Sequence, residues 1–326
     1  MLTTLLVLFI VGYLAIALEH PLRVDKTASA LLLGMLMWVI YAMGAESVVP
    51  VVSADGFRHF METHPGLESK SLHEQALQYV LNVDIVEHLG DIMQTLLFLI
   101  GAMTIVEMVD VHGGFRVITD HINTRDKRKL LWIISFVTFF MSAILDNLTT
   151  TIVMLMLLRK LITQKDERWL YAGMIIIAAN SGGAWSPIGD ITTIMLWVSG
   201  NITAPALLSF VLVPSLVSML VPLVIISSKL KGELPPRDVV VEKNSFITSG
   251  QRATMFYLGV GGLIFVPVFK SITHLPPFIG MLFVLGALWV FTDIFYNSKM
   301  LEQAKELRLP KVISRVDMPS ILFFLG

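Results

Sequence analysis

The stretch SAILDNLTTTIVMLML, residues 142–157, places an aspartate, an asparagine and three threonines inside an apolar run. Basic clusters bracket that run: RDKRK at 125–129 and RK at 159–160. A straight helix over 130–158 would be roughly 43 Å long at 1.5 Å per residue. A bilayer core is about 30 Å thick. Such a helix would also set two basic clusters on opposite sides of a membrane, against the tendency of Lys and Arg to collect on the cytoplasmic side. A re-entrant hairpin removes both problems. Two arms of about 13 residues each would enter and return, with the tip near Ser142–Asn147. Irregular backbone at that depth is tolerated only where protein or a watery cavity surrounds it.

The rest of the chain supports a membrane setting. Of 326 residues, 55% are hydrophobic and 15% charged, against about 25% charged in a soluble domain. Long apolar runs recur at 2–18, 27–44, 92–106, 130–158, 171–198, 206–226, 253–269 and 277–295, most of them near the length of a membrane span. The expected fold class is therefore an all-α polytopic membrane protein. The run 2–18 reads as a first transmembrane helix, since no basic segment precedes it and no small-residue cleavage site follows. The net charge is −1, so bulk charge points to no nucleic acid. The chain has no cysteine, which removes disulfides, thiolate metal sites and cysteine nucleophiles.

Orientation follows from Lys and Arg. With the N-terminus outside, the loops 19–26, 111–129, 159–170, 229–252 and 296–316 lie inside and hold 21 of the 24 basic residues. Loops 45–90, 199–205 and 270–276 then lie outside. The 45–90 loop reads as a cap or interfacial helix, with a helical pattern over 72–87. Its His59, Glu62, His64, Glu68 and His73 match no metal-ligand spacing and read as a solvated loop. Segment 111–129 opens on a Gly-Gly break and continues amphipathically along the inner surface.

An internal repeat is expected. DIMQTLLFLIG (91–101) resembles DMPSILFFLG (317–326), and LLGMLMWV (32–39) resembles VLGALWV (284–290), in the same order. The first repeat spans 1–230, residues 231–252 form a cytoplasmic linker, and the second repeat begins at 253. An odd number of crossings in the first copy inverts the second, the arrangement of inverted-repeat transporters. The partner of the 142–147 tip would fall beyond residue 326. The second repeat is thus expected to be incomplete in this sequence.

A second polar motif, AANSGGAWSPIGDITTIMLW (178–197), interrupts another apolar run. Gly-Gly and Ser-Pro weaken a helix interior. The expected unwinding covers about 181–190, with the helix restarting at Ile191. Broken helices expose carbonyls at one half-helix end and N–H groups at the other, where transporters hold substrates. Both motifs pair a carboxylate with an asparagine and a threonine pair: Asp146 with Asn147, Thr149 and Thr150, and Asp190 with Asn180, Thr192 and Thr193. This hard oxygen set suits a small cation, and an ionisable residue at membrane depth marks a functional site. The plainer reading is that both aspartates cap the helices that follow them, and that the threonines bond back one turn. Ser142 and Ser181 complete the candidate set. The candidate Na⁺ ligands are Asp146, Asn147 and Asp190. Glu107 and Asp110 lie near the inner end of helix 92–106. His88 and His112 flank it as candidate pH sensors.

At these motifs the chain resembles the NhaD-type sodium/proton antiporters of the ion transporter superfamily. SAILDNLTTTIVMLMLLRKL and AANSGGAWSPIGDITTIMLW carry the resemblance, supported by GAMTIVEMVDVHGGF (101–115). It implies an inverted-repeat transporter with a re-entrant hairpin and a broken transmembrane helix, exchanging Na⁺ or Li⁺ for H⁺. It also implies important polar residues at Ser142, Asp146, Asn147, Asn180, Asp190, Thr192 and Thr193. Neither a cofactor nor enzymatic activity is expected; no H-E-x-x-H motif is present. The expected setting is a bacterial inner membrane, with lipid contact and, by analogy with related transporters, a homodimer. The alternative is a dicarboxylate or arsenite-type anion transporter of the same architecture.

Overall fold

The computed structural model describes residues 1–119, 122, 124–162, 164–234, 248–297 and 308–326. Among them there is no β-strand, and one isolated bridge joins Asp126 to Glu233. Besides single turns at Glu19–Leu22 and Arg116–Thr119, the α-helices among the described residues, in chain order, are α1 (Leu2–Ala17), α2 (Lys26–Met43), α3 (Ala45–Val52), α4 (Ala54–Thr63), α5 (Leu72–Tyr79), α6 (Ile85–Val111), α7 (Lys127–Leu145), α8 (Asn147–Leu161), α9 (Lys165–Ala184), α10 (Ile191–Val198), α11 (Ala204–Lys229), α12 (Ser249–Thr273), α13 (Pro277–Asn297), α14 (Leu309–Ile313) and α15 (Met318–Phe323). Six segments among the described residues are long and apolar enough to cross a membrane: Lys26–Met43, Leu72–Val111, Lys127–Leu145, Ala204–Lys229, Ser249–Thr273 and Pro277–Ile294. This is the composition of an integral membrane protein. At 16 residues, α1 is shorter than those six.

Helix starts follow local chemistry. Asp25 accepts the Thr27 N–H at 2.7 Å and opens α2. Asp126 accepts the Lys129 N–H at 2.8 Å and opens α7. Thr248 and Gln251 form a reciprocal capping box at α12. Each cap satisfies N–H groups that have no partner within the helix, and is worth about 1 kcal/mol.

The described residues form two compact units. The first comprises Met1–Leu96 and Asp317–Gly326. Here α1 and α15 pack on α2, with the Thr27 hydroxyl donating to the Pro319 carbonyl at 3.1 Å. The segment read as an outside loop is built of helices α3, α4 and α5 around a small core of Ala45, Val49, Phe60, Ala76, Tyr79 and Val80. Its apolar positions recur at helical spacing and bury each other, which a solvated loop does not do. A π-helical turn, Val80–Asp84, joins α5 to α6, so the segment 72–111 is continuous and much longer than the expected 92–106. Asp91 consequently lies inside α6 and starts no helix, whereas Asp317 caps α15 by accepting the Ser320 N–H at 3.4 Å. The His and Glu side chains of this region form no metal cluster among the described residues.

The second unit is Leu97–Val316. At its centre α9 packs against α7, α8 and α11, and α12 packs on α13. Contacts settle the direction of the chain here. Lys127, at the start of α7, pairs with Glu167, at the start of α9. The Tyr171 hydroxyl donates to the Lys127 carbonyl at 2.7 Å. Further along, the Ser142 hydroxyl donates to the Ala179 carbonyl at 2.6 Å. The helices α7 and α9 therefore run parallel from one common end, and α8, which links the far end of α7 to the near end of α9, runs back. Residues 127–161 form a helical hairpin.

The hairpin differs from expectation in its arms. They are 19 and 15 residues long, because the Asp126 cap draws Lys127, Arg128 and Lys129 into the first turn of α7. The turn narrows to one residue, Asp146. The broken helix also differs. Unwinding covers Trp185–Asp190 and spares Ser181–Ala184, which remain in α9. Gly182 is helical because its missing side chain is used for packing: a Cβ there would collide with the backbone of Phe139 on α7. The loop expected over 270–276 shrinks likewise, since α12 runs to Thr273 and takes in Lys270. Of the linker 231–252, residues 235–247 lie outside the described residues; before them, the Leu234 N–H donates to the Arg125 carbonyl at 2.8 Å.

Candidate functional site

Two interruptions, the Asp146 turn and the Trp185–Asp190 break, meet in the second unit. Asp146 ends α7 and caps α8. Its Oδ1 accepts the Thr149 N–H at 2.8 Å and its Oδ2 accepts the Thr149 hydroxyl at 2.8 Å. The Asp146 backbone has φ 109° and ψ 158°. That region is essentially reserved for glycine and costs a residue with a Cβ roughly 1–3 kcal/mol.

Asp190 repeats the capping chemistry without the strain. Its backbone is extended, at φ −146° and ψ 141°. Its Oδ1 accepts the Thr192 N–H at 2.8 Å and the Thr192 hydroxyl at 2.5 Å. The Thr193 hydroxyl closes the break by donating to the carbonyls of Ser186, at 2.9 Å, and Asp190, at 2.8 Å. Gly189 passes so near α7 that a Cβ would come 2.6 Å from the Ser142 carbonyl oxygen. Two glycines, Gly182 before the break and Gly189 within it, thus bring it onto the end of the hairpin.

Asn147 joins the two motifs. Its Nδ2 donates to Asp190 Oδ2 at 2.7 Å and to Asn180 Oδ1 at 3.1 Å. Asn180 is held in turn by its own Nδ2, which donates to the Ile176 carbonyl at 2.8 Å. Side chains distant in sequence thereby form one patch: two carboxylates, two amides and two threonine hydroxyls.

The oxygen count defines what this patch can do. Each carboxylate oxygen accepts about two bonds. Asp146 Oδ1 and Oδ2 use one donor each, as does Asp190 Oδ2, so each keeps a lone-pair direction for a further partner. Thr150 is wholly buried one turn beyond Asp146, and its Oγ1 has no hydrogen-bond partner among the described residues. Leaving a buried hydroxyl unpaired costs about 1–3 kcal/mol. Hard, oxygen-only donors of this kind suit a small cation.

Ser142 and Ser181 stand apart from the patch. Ser142 ties α7 to α9 through the Ala179 carbonyl, and Ser181 reaches α11, where its Oγ lies 3.1 Å from Ser218 Oγ. His88 is exposed beside Trp38, with ring centroids 5.9 Å apart. His112 is wholly buried, with Nδ1 2.6 Å from the Met108 carbonyl oxygen. These histidines lie in different units.

Sequence reasoning missed Lys270. Its Nζ donates to the Trp197 carbonyl at 2.7 Å and stands 4.5 Å from the indole centroid. Trp197 is buried and meets Phe98 edge-on. A cation here satisfies a carbonyl in the last turn of α10 and complements the negative end of the helix. A lysine near the end of an apolar run carries no local signal of such a partner. The Gly182 and Gly189 contacts were legible only as helix-weakening residues.

Comparison with known proteins adds the following. A family model described as CitMHS, citrate transporter, matches residues 6–326. A protein named sodium/proton antiporter 1 from Arabidopsis thaliana is 40% identical over 322 residues, covering 98% of this chain and 50% of its own length. Sodium/proton antiporter 2 from the same plant is 38% identical over 98% of this chain and 69% of its own length. A Na⁺/H⁺ antiporter NhaD from Alkalimonas amylolytica is 28% identical over 87% of this chain and 53% of its own length. The chain thus spans about half the length of two of these relatives.

Proposed function

The chain belongs to the CitMHS citrate transporter family, where its relatives include the NhaD-type sodium/proton antiporters, and on that premise we propose that it takes part in exchanging Na⁺ or Li⁺ for H⁺ across a membrane. The observation that carries this reading is the Asn147 amide bonded to both Asp190 and Asn180, which holds the Asp190 carboxylate against the residue next to Asp146.

In this reading the hairpin α7–α8 is re-entrant, its base lies at the cytoplasmic face, and the N-terminus is outside. The oxygens of Asp146 and Asp190, with Asn147, receive the cation. A proton and a cation neutralise the same carboxylate, so they compete for it. Na⁺ loading from one side displaces a proton, and protons arriving from the other displace Na⁺. If the empty, doubly charged patch is the least stable form, exchange is obligatory. Thr149 and Thr192 hold the two carboxylates in place, so the cation meets oxygens already oriented. Access alternates as the hairpin-bearing bundle moves within an inverted-repeat frame.

The family description favours a second reading, a carboxylate-bearing anion as substrate. The N-termini of α8 and α10 adjoin the patch and are positive helix ends. The two aspartates weigh against it, since each already occupies its own helix N-terminus and would repel an anion.

Transport by the full-length protein in everted membrane vesicles separates these readings. Addition of Na⁺ should dissipate a preset proton gradient. Asp146→Asn keeps an oxygen for the α8 cap but removes the charge, and should lower that exchange at least about 100-fold, the cost of losing a charged ligand of roughly 3 kcal/mol. Full exchange by Asp146→Asn, or a gradient that collapses with citrate and ignores Na⁺, overturns the antiport reading.

A further inference from the structure

The half-helix α10 has eight residues, about 12 Å at 1.5 Å per residue. Asp190 caps its start and carries one carboxylate of the patch. Helices of this unit pack closely in pairs, among them α9 with α7, α8 and α11, and α12 with α13; among the described residues α10 forms no such close pair. Its hold on the unit therefore depends on side chains, of which Thr193, Ile194 and Trp197 are buried. Trp197 lies in the last turn of α10, edge-on to Phe98 of α6, with ring centroids 6.0 Å apart. Lys270, in the last turn of α12, donates from Nζ to the Trp197 carbonyl at 2.7 Å and stands 4.5 Å from the indole centroid.

Capping alone does not call for this lysine. The end of α10 is closed by a Schellman turn: the Gly200 N–H donates to the Trp197 carbonyl at 3.2 Å, and the Asn201 N–H donates to the Leu196 carbonyl at 2.9 Å. Gly200, at φ 78°, supplies the left-handed residue this turn needs. The Trp197 carbonyl has a second lone pair, and Lys270 reaches it from another helix. Anchoring of the indole at a lipid boundary accounts for the contact no better, because Trp197 is only 2% exposed. The distinct effect of the contact is to fix α10 lengthwise. A bond to a carbonyl in the last turn resists sliding along the axis, and a slide of α10 carries Asp190 with it. Asp190 Oδ2 lies 2.7 Å from Asn147 Nδ2. An N–H···O bond reaches to about 3.2 Å, so a slide of about 1 Å parts the two motifs.

We propose that Lys270 is a positioning residue for the patch: bonded to the Trp197 carbonyl, it fixes α10 from its far end and keeps Asp190 against Asn147. The proposal rests on the reading that this patch receives the transported cation. Lys270 acts through α10, at the end away from Asp190, and not on the cation itself.

The test uses the full-length protein and two readouts. Hydrogen–deuterium exchange in detergent micelles reads the backbone amides of residues 185–198 against those of α7. In K270M the 185–198 amides should exchange about tenfold faster, the loss of one bond from a charged donor, with α7 unchanged. Na⁺-driven dissipation of a preset proton gradient in everted vesicles reads the patch. K270M should raise the Na⁺ concentration for half-maximal exchange about fivefold or more, the low end of coupling between separate sites, with little change in maximal rate per folded protein. K270R keeps the charge, the donor and the indole contact, and should return both values to those of the parent. A lysine that only stabilised the fold would lower the unfolding midpoint and leave the half-saturating concentration unchanged. Should K270M fail to elute as a monodisperse protein, K270Q, shorter and uncharged but polar, takes its place with the same expectations. Parental amide protection in the neutral variant, an unchanged half-saturating concentration beside a parent that exchanges Na⁺, or failure of K270R to restore both values overturns the proposal. A parent that exchanges no Na⁺ overturns the antiport reading instead, and amide exchange alone then decides whether Lys270 holds Asp190 in place.

Discussion

The two interruptions solve one problem in opposite ways. Each starts a helix with an aspartate whose carboxylate is held by a threonine N–H and hydroxyl: Thr149 for Asp146 and Thr192 for Asp190. The α7–α8 turn then spends a single residue, in backbone territory that suits glycine. The α9–α10 break spends six, from Trp185 to Asp190, and keeps its aspartate extended. An ordinary capping requirement accounts for Asp190. It does not account for Asp146, because glycine caps a helix nearly as well and would relieve the backbone. Capping alone therefore leaves the carboxylate at the hairpin turn unexplained, whereas the break lies against close backbone packing at Gly182 and Gly189.

That contrast fails or sharpens under substitutions at three positions. The largest effect is expected at the break. Gly182→Ala drives a Cβ into the Phe139 backbone, which has no flexible end to yield. A loss of about 3 kcal/mol is expected, at the upper end of typical overpacking costs, visible as a large drop in the thermal unfolding midpoint of the detergent-solubilised protein. A midpoint within a degree of the parent would show that the break does not depend on this contact.

The hairpin turn is tested next by a pair. Asp146→Ala and Asp146→Gly both remove the carboxylate. Only alanine keeps a Cβ at φ 109°. The glycine variant should be more stable than the alanine variant by about 1–2 kcal/mol, a strain difference plus a small capping preference. Both should lose ion exchange. Equal stabilities would mean that the turn carries no strain, and the contrast with Asp190 would weaken.

The smallest effect is expected at Thr150. Removing an unpaired buried hydroxyl while keeping the shape should be neutral or stabilising by up to about 1 kcal/mol, so Thr150→Val should unfold no earlier than the parent. If the hydroxyl reaches the cation, the same variant raises the Na⁺ concentration needed for half-maximal exchange. A stability loss above about 1 kcal/mol would show that Thr150 already has a structural partner.

Legibility in the sequence followed the range of the interaction. The caps at Asp146 and Asp190 were readable because donor and acceptor lie two or three residues apart. The apolar spans were readable because burial repeats at the helical period. Errors clustered where a local signal met a distant partner. Gly182 and Gly183 looked like helix breakers, and the helix ran through them because α7 packs against Gly182. The 45–90 segment read as a cap or interfacial helix, and its shared core becomes visible only when three short helices meet.

Composition and spacing alone determined that this is a helical, membrane-type chain, that it is interrupted near residues 146 and 190, and that an aspartate restarts the helix at each interruption. Tertiary structure decided which polar groups converge. It turned Asn147 toward Asn180 and Asp190, across 33 and 43 residues, and turned Ser142 and Ser181 away to the Ala179 carbonyl and Ser218. The reason is physical. A cap is written into a single turn of backbone, whereas a shared patch exists only once two helices have been brought together by packing that no single turn encodes.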